Sequence, residues 1–419
     1  MRAHLVVAFV LVLSVGGQGA PAISPSSEQT RRSVAGEDCV QDFPSASSPD
    51  PRATVVMCGL DNPRGLTFGP EGALYVAEAG RGGDGPCIGS GVMTFCYGPT
   101  GAVRRLWRGT VERIVTGLPS FARFPDGFRA TGPHDVSMLG RGTAHVTIGL
   151  ENDPAFRTTR IAFAGLGHLV RFTPDGRWSF ATDIAAFETA YNPDGRVDFE
   201  RCPPGDPGPC PYLDSNPYGL LAVPGGQLVT DAGANVLFHV DANGDLSVVA
   251  LFHSRGTEPS RQSGAPPGFD QFTDAVPTTV VQGPDGAYYV GELTGVPFVT
   301  GKANIYRVVP GETPRVFLTS DACVSGFKMI IDMDFDPHGN LYVLQHSTGA
   351  TGGTAPGVLI RVVPDMTQPD ICAQYAAGLR TTVVSGLTRP TSVVAVSDAV
   401  YISNRGNSAG IGQVIRIEQ

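Results

Sequence analysis

The amino-acid sequence predicts an all-β protein: a six-bladed β-propeller with four antiparallel strands per blade, its ring closed by the N-terminal strand pairing with the C-terminal blade. Three observations predict it. Gly 54 and Pro 35 supply about a fifth of the 419 residues, and punctuation this dense excludes long helices. One phrase recurs six times along the chain. The last copy lacks its final strand, and a matching spare strand stands before the first.

The phrase is clearest as Pro63-Arg-Gly-Leu-Thr-Phe-Gly-Pro-Glu-Gly-Ala-Leu-Tyr-Val-Ala-Glu78. Residues 277–292 match it without a gap, residues 330–345 match it again, and looser copies begin at Pro133, Pro217 and Pro390. Each copy reads as a short apolar strand, a Gly-containing turn and a second strand such as 74–76. A third strand carrying a basic residue follows in most units, at 169–172, 237–240, 305–309, 359–363 and 414–417. A tight turn such as Pro174-Asp-Gly176 leads to a fourth, for example 246–251. Four short antiparallel strands in six copies describe a propeller. Unit six ends after its third strand at Gln419, and Thr54-Val-Val-Met-Cys-Gly-Leu60 resembles Thr381-Thr-Val-Val-Ser-Gly-Leu387, which precedes unit six. Pairing 54–57 with 414–417 would satisfy an otherwise bare sheet edge. On this reading a deletion up to Ala53 is tolerated apart from any bridge made by Cys39.

Residues 1–22 read as a secretory signal: Arg2 and His4, an apolar run from Leu5 to Val15, then small residues with a possible cleavage site at Ala20-Pro21-Ala22. Residues 23–52 read as a Ser/Pro-rich linker and 53–419 as the propeller. The expected location is secreted or extracytoplasmic. No other stretch approaches the roughly 18 apolar residues of a membrane span. Export makes the eight cysteines a disulfide set. Locality pairs Cys87 with Cys96 and Cys202 with Cys210, while Cys39, Cys58, Cys323 and Cys372 leave three pairings open. A net charge of −9, with 30 basic against 39 acidic residues, argues against nucleic acid as a partner.

Antiparallel order sorts the connections by face. Strand one to two and strand three to four are joined by tight turns, except at 364–378. The other connections carry insertions at 80–100, 151–167, 183–215, 253–275, 294–302 and 346–356. Loops of that length are commonly functional, so the insertion-rich face is the expected binding face. At its mouth the innermost strands begin at Arg64, His134, Tyr218, Thr278, Ile331 and Thr391. Only His134 is a good metal ligand, and a catalytic metal needs about three protein ligands. No resident metal or cofactor is expected. A second ring, after each second strand, holds Glu78, Glu151, Asp231, Glu292, His346 and Asn404. Its carboxylates could bind a cation or sugar hydroxyls, act as acid and base, or cap loop amides and pair with neighbours such as Arg64 and Arg405.

The phrases Asp214-Ser-Asn-Pro-Tyr-Gly219, Thr230-Asp-Ala-Gly-Ala-Asn235, Asp274-Ala-Val-Pro277 and Gly291-Glu-Leu-Thr-Gly295 lie outside the generic repeat. Together with Gly165-Leu-Gly-His168 and Tyr191-Asn-Pro-Asp-Gly195, they resemble the ScyD/ScyE family over nearly the whole chain. The resemblance implies an exported, NHL-like propeller and assigns no reaction. The expected function is an extracellular binding or scaffold module for a small molecule, glycan or protein. The enzyme alternatives are a lactonase-like hydrolase or a quinoprotein-type sugar dehydrogenase, with His134 as base and Arg64 and Arg405 near cofactor carboxylates.

Overall fold

The computed structural model describes residues 33–34, 39–41, 43 and 50–419, apart from 141, 162–164, 199–209, 254, 257–271, 297, 299–300, 319–325, 350–354 and 365–379. The signal segment, Cys202, Cys323, Cys372 and most of the 364–378 connection lie outside the described residues. The rest form a six-bladed β-propeller.

From the channel outward, blade 1 is Pro63–Phe68, Leu74–Glu78, Phe95–Trp107 and Thr110–Arg123. Blade 2 is Pro133–Met138, Ala144–Ile148, His168–Phe172 and Trp178–Asp183, and blade 3 is Pro217–Val223, Gly226–Asp231, Val236–Asp241 and Leu246–Leu251. Blade 4 is Pro277–Gln282, Tyr288–Glu292, Ile305–Val308 and Arg315–Leu318, and blade 5 is Ile330–Phe335, Leu341–Gln345, Gly357–Val362 and Arg380–Leu387. Blade 6 takes Ser392–Ala395, Ala399–Asn404 and Gly412–Glu418 from the C-terminus and Ala53–Leu60 from the N-terminus. The ring closes as the repeat predicts: Thr54 pairs with Arg416, Val55 with Ile415 and Met57 with Val414.

Side-chain alternation explains why these strands stack as blades. Successive residues of a strand point to opposite sheet faces, and here each face meets a different neighbour. Tyr75 and Ala77 pack toward blade 2, whereas Leu74 and Val76 pack toward blade 6. Tyr342 and Leu344 join the blade 5–6 cluster, whereas Leu341 and Val343 join the blade 4–5 cluster. One apolar cluster fills each of the six blade interfaces. The repeated aromatics belong to this packing, as in the Tyr289–Phe335 ring pair at 5.1 Å.

Two expectations about connections change. Much of the 80–100 insertion is structured, because Phe95–Trp107 and Thr110–Arg123 run on as a long hairpin above the blade, with Cys87 bonded to Cys96 at its edge. The 183–215 insertion contains the helix Ile184–Tyr191, capped by the Asp183 carboxylate accepting from the Ala186 amide at 3.1 Å. Among the four cysteines left open by spacing, Cys39 bonds to Cys58. Cys210 is disulfide-bonded; its expected partner, Cys202, lies outside the described residues. No helix of the described residues is long and apolar enough to cross a membrane.

Candidate functional site

The mouth is built on a bulge that repeats around the ring. The first residue of an inner strand pairs with the last residue of the second strand: Pro63 with Glu78, Pro133 with Ile148, Pro217 with Asp231, Pro277 with Glu292 and Ile330 with Gln345. Register then slips immediately in all five blades. Arg64, His134, Tyr218, Thr278 and Ile331 sit within the slip, free of ladder pairing. A bulge re-aims a side chain, and the proline ahead of it is tolerated because it opens the strand.

Several of these side chains stitch one blade to the next. His134 Nδ1 donates to the Pro217 carbonyl at 3.2 Å, Thr278 Oγ1 to the Ile330 carbonyl at 2.9 Å and Thr391 Oγ1 to the Pro63 carbonyl at 2.7 Å. Each acceptor is a carbonyl at the start of the following inner strand, or next to it, on a sheet edge that needs partners. His346 Nδ1 does the same for Pro390 at 2.9 Å. Arg64, 5% exposed, donates to the carbonyls of Ala130 at 2.8 Å and of Gly406.

His134 is the unusual member. A carbonyl only accepts, so Nδ1 carries the proton and Nε2 is a bare acceptor. That Nε2 is buried without a hydrogen-bond partner among the described residues. Burial, then the Arg64 charge, pulls the imidazole down to about 3, so it is neutral. The Tyr218 ring lies 4.5 Å away, centroid to centroid.

Five members of the second ring hold the framework, His346 among them through its bond to the Pro390 carbonyl. Glu78 accepts from the Asp61 amide at 2.7 Å, from Arg104 at 2.8 Å and from Arg113 at 3.1 Å. Its cations come from the third and fourth strands of its own blade, not from Arg64 or Arg405. Asp231 accepts from Asn216 N at 2.6 Å, Ser215 Oγ at 2.7 Å, and Gly233 N and Ala234 N at 3.1 Å. Glu292 accepts from the Asn304 amide at 3.0 Å. Asn404 accepts from Thr388 N at 2.8 Å and donates to Gln413 at 2.9 Å.

Glu151 differs. It is exposed, sits at φ 56°, and lines a polar recess of about 290 Å³ between residues 151–153 and 210–214. Asp214 lies on the recess wall, and its amide donates to Glu188 Oε1 of the 184–191 helix at 3.4 Å. Burial first, then the neighbouring Asp231 charge, pushes Asp214 up to about 7 and Glu188 up to about 8. Among the described residues, no three His, Cys, Asp or Glu side chains converge as metal ligands.

Sequence reading missed the column one residue deeper. Asp135 and Asp332 belong to blades 2 and 5, opposite one another in the ring, and both are pushed up by burial. The charge of Asp332 raises Asp135 further. Asp135 takes the amides of Val136 and Leu220, both at 2.8 Å. Asp332 takes Met333 N, Thr279 Oγ1, Ser392 Oγ and Val393 N, all at 2.6–2.9 Å. Gly65 makes room for this: a Cβ there would lie 1.9 Å from Asp135 Oδ1. The signal was available, since Gly65, Asp135, Gly219, Thr279, Asp332 and Ser392 form one repeat column of small and polar residues.

No protein-family profile matches the chain, and no curated protein matches it. Solved structures do align. A Bacteroides thetaiotaomicron protein of unknown function is 8% identical, covering 90% of this chain and 74% of its own, at TM-score 0.48. Virginiamycin B lyase from Staphylococcus aureus is 9% identical, covering 88% and 99%, at 0.42. A glucose dehydrogenase is 12% identical, covering 88% and 99%, at 0.44. Likeness this distant carries no argument about function.

Proposed function

We propose that this chain is a secreted, ScyD/ScyE-like recognition module that binds an extracellular ligand on its insertion-rich face. The observation that supports it best is the acidic recess beside the mouth. It is open and polar, lined by the disulfide-bonded Cys210 and bordered by the capped helix, whose Glu188 accepts the Asp214 amide. Loops held in place lose little freedom on binding, which favours affinity. Exposed carboxylates suit a partner rich in hydroxyls or amines. Glycan-array screening of the mature protein, followed by calorimetry with each hit, tests the reading. Binding should weaken at least tenfold in a Glu151→Lys, Asp153→Lys double variant. Unchanged binding in that variant would refute the assignment of this face.

A second reading rests on His134. Its Nε2, beside Tyr218 and Arg64, is a buried acceptor with no partner among the described residues. A substrate would have to relieve the burial and the Arg64 charge that depress it before it could serve a lactonase-like hydrolase or quinoprotein-type sugar dehydrogenase as base. Metal analysis and an absorbance spectrum of protein purified from its host separate the two. Stoichiometric metal or a quinone chromophore would favour the enzyme.

A further inference from the structure

The turn-bearing face, opposite the mouth, carries a cavity of about 550 Å³ at the junction of blades 1 and 2. That volume falls within the usual range for small-molecule pockets, roughly 300–1,000 Å³. We propose that it binds a flat aromatic mono-anion, with the carboxylate held by Arg108 and the ring against Ile114, Met138 and Phe172.

The walls supply the chemistry. Ile114, Met138 and Phe172 form an apolar side, and Trp107 closes the end beside the turn. The guanidinium of exposed Arg108 lies 4.5 Å from the Trp107 ring centroid, and that of Arg105 lies 5.4 Å from it. Arg105 is neutralised by an ion pair with Glu112, while its Nε is buried without an acceptor among the described residues. Among the described lining residues, Arg108 carries the cation that remains for a ligand. Glu71, also on the wall, accepts the Tyr75 hydroxyl and disfavours a second anionic group.

The backbone adds an independent indication. Arg108 and Gly109 form the two-residue turn between Trp107 and Thr110, both at positive φ, 50° and 75°. Such a turn favours Asn-Gly, and a long side chain in its first position is strained. Arginine here opposes local stability while placing a guanidinium on the rim. Arginine stacked on an aromatic face, with its edge donors free, suits a planar carboxylate.

The test uses 4-nitrobenzoate, whose nitro group quenches indole fluorescence, with neutral 4-nitrobenzyl alcohol as control. The chain has two tryptophans, so Trp178→Phe leaves Trp107 as the reporter; calorimetry on the unmodified protein gives the same affinity should that variant fold poorly. Quenching by 4-nitrobenzoate should saturate, and the alcohol should bind at least tenfold more weakly. Arg108→Asn should weaken 4-nitrobenzoate at least tenfold while raising the melting temperature, because Asn-Gly relieves the turn. Non-saturating quenching, or equal affinity in Arg108→Asn, would overturn the site. A lowered melting temperature in Arg108→Asn would also overturn it, by showing that the guanidinium–indole stack serves the fold.

Discussion

Gln41 brackets Val55. Its Nε2 donates to the Val55 carbonyl at 3.1 Å and its Oε1 accepts the Val55 amide at 2.7 Å. One amide side chain thus replaces a fifth strand on the outer edge of the strand that closes the ring. Cys39 bonds to Cys58 on the same strand, and Phe43 is 5% exposed within the blade 5–6 cluster. Ser33 and Val34 pair with Val111 and Thr110 on the outer strand of blade 1. The segment before Ala53 therefore contacts both blades that meet at the closure.

Removing residues 1–52 should accordingly destabilise the propeller, contrary to the tolerance expected from composition. The lost disulfide is worth about 2–4 kcal/mol and burial of Phe43 about 1.5–3 kcal/mol. Removing residues 1–60 should abolish soluble folding, since Gly412–Glu418 becomes a bare edge. Urea unfolding of the two truncations checks the order. A 1–60 deletion as stable as the undeleted chain would show another mode of closure.

Asp135 and Asp332 should respond unequally to isosteric change. Asparagine at either position turns an NH2 toward a donor. Asp332 takes four donors and Asp135 takes two. An orphaned buried donor costs about 1–3 kcal/mol, so Asp332→Asn should be the more destabilising variant by chemical denaturation. Equal losses would mean that mutual repulsion, not hydrogen bonding, dominates the pair.

His134 should make stability fall in acid. Its folded value is near 3, against an ordinary 6.5. The unfolded chain therefore binds a proton below pH 6.5 that the native ring refuses. The contribution is complete above pH 6.5 and lost progressively toward pH 3, up to about 5 kcal/mol as an upper bound. Thermal melts between pH 7.5 and 4 should show a shallower slope in His134→Gln than in the wild type.

Glu188 works in the opposite sense. Its folded value is pushed up to about 8 from 4.5, so the native state holds a proton that the unfolded chain releases. Stability from this group is complete below pH 4.5 and lost as pH rises to 8. Glu188→Gln keeps an oxygen for the Asp214 amide and cannot ionise. It should match wild type near pH 4 and exceed it at pH 8 by on the order of 1 kcal/mol. A variant less stable at pH 8 would show that the charge is compensated by groups other than those described.

The blades, their order and the closing strand were legible because each rests on local patterning. Leu74, Tyr75, Val76 and Ala77 alternate between two blade faces, a period any sheet imposes. Cys87 and Cys96 were pairable because nine residues of chain keep them close. Tertiary structure alone decided what depends on distant segments meeting. It selected Cys58 for Cys39, gave Glu78 the cations of Arg104 and Arg113, and placed Asp135 opposite Asp332. It also placed a cavity of about 550 Å³ on the face of tight turns. The physical reason is that periodicity sets which side of a strand a residue occupies, whereas its partners, desolvation and charge depend on what other strands bring to that side. Those quantities arise only once the ring has closed.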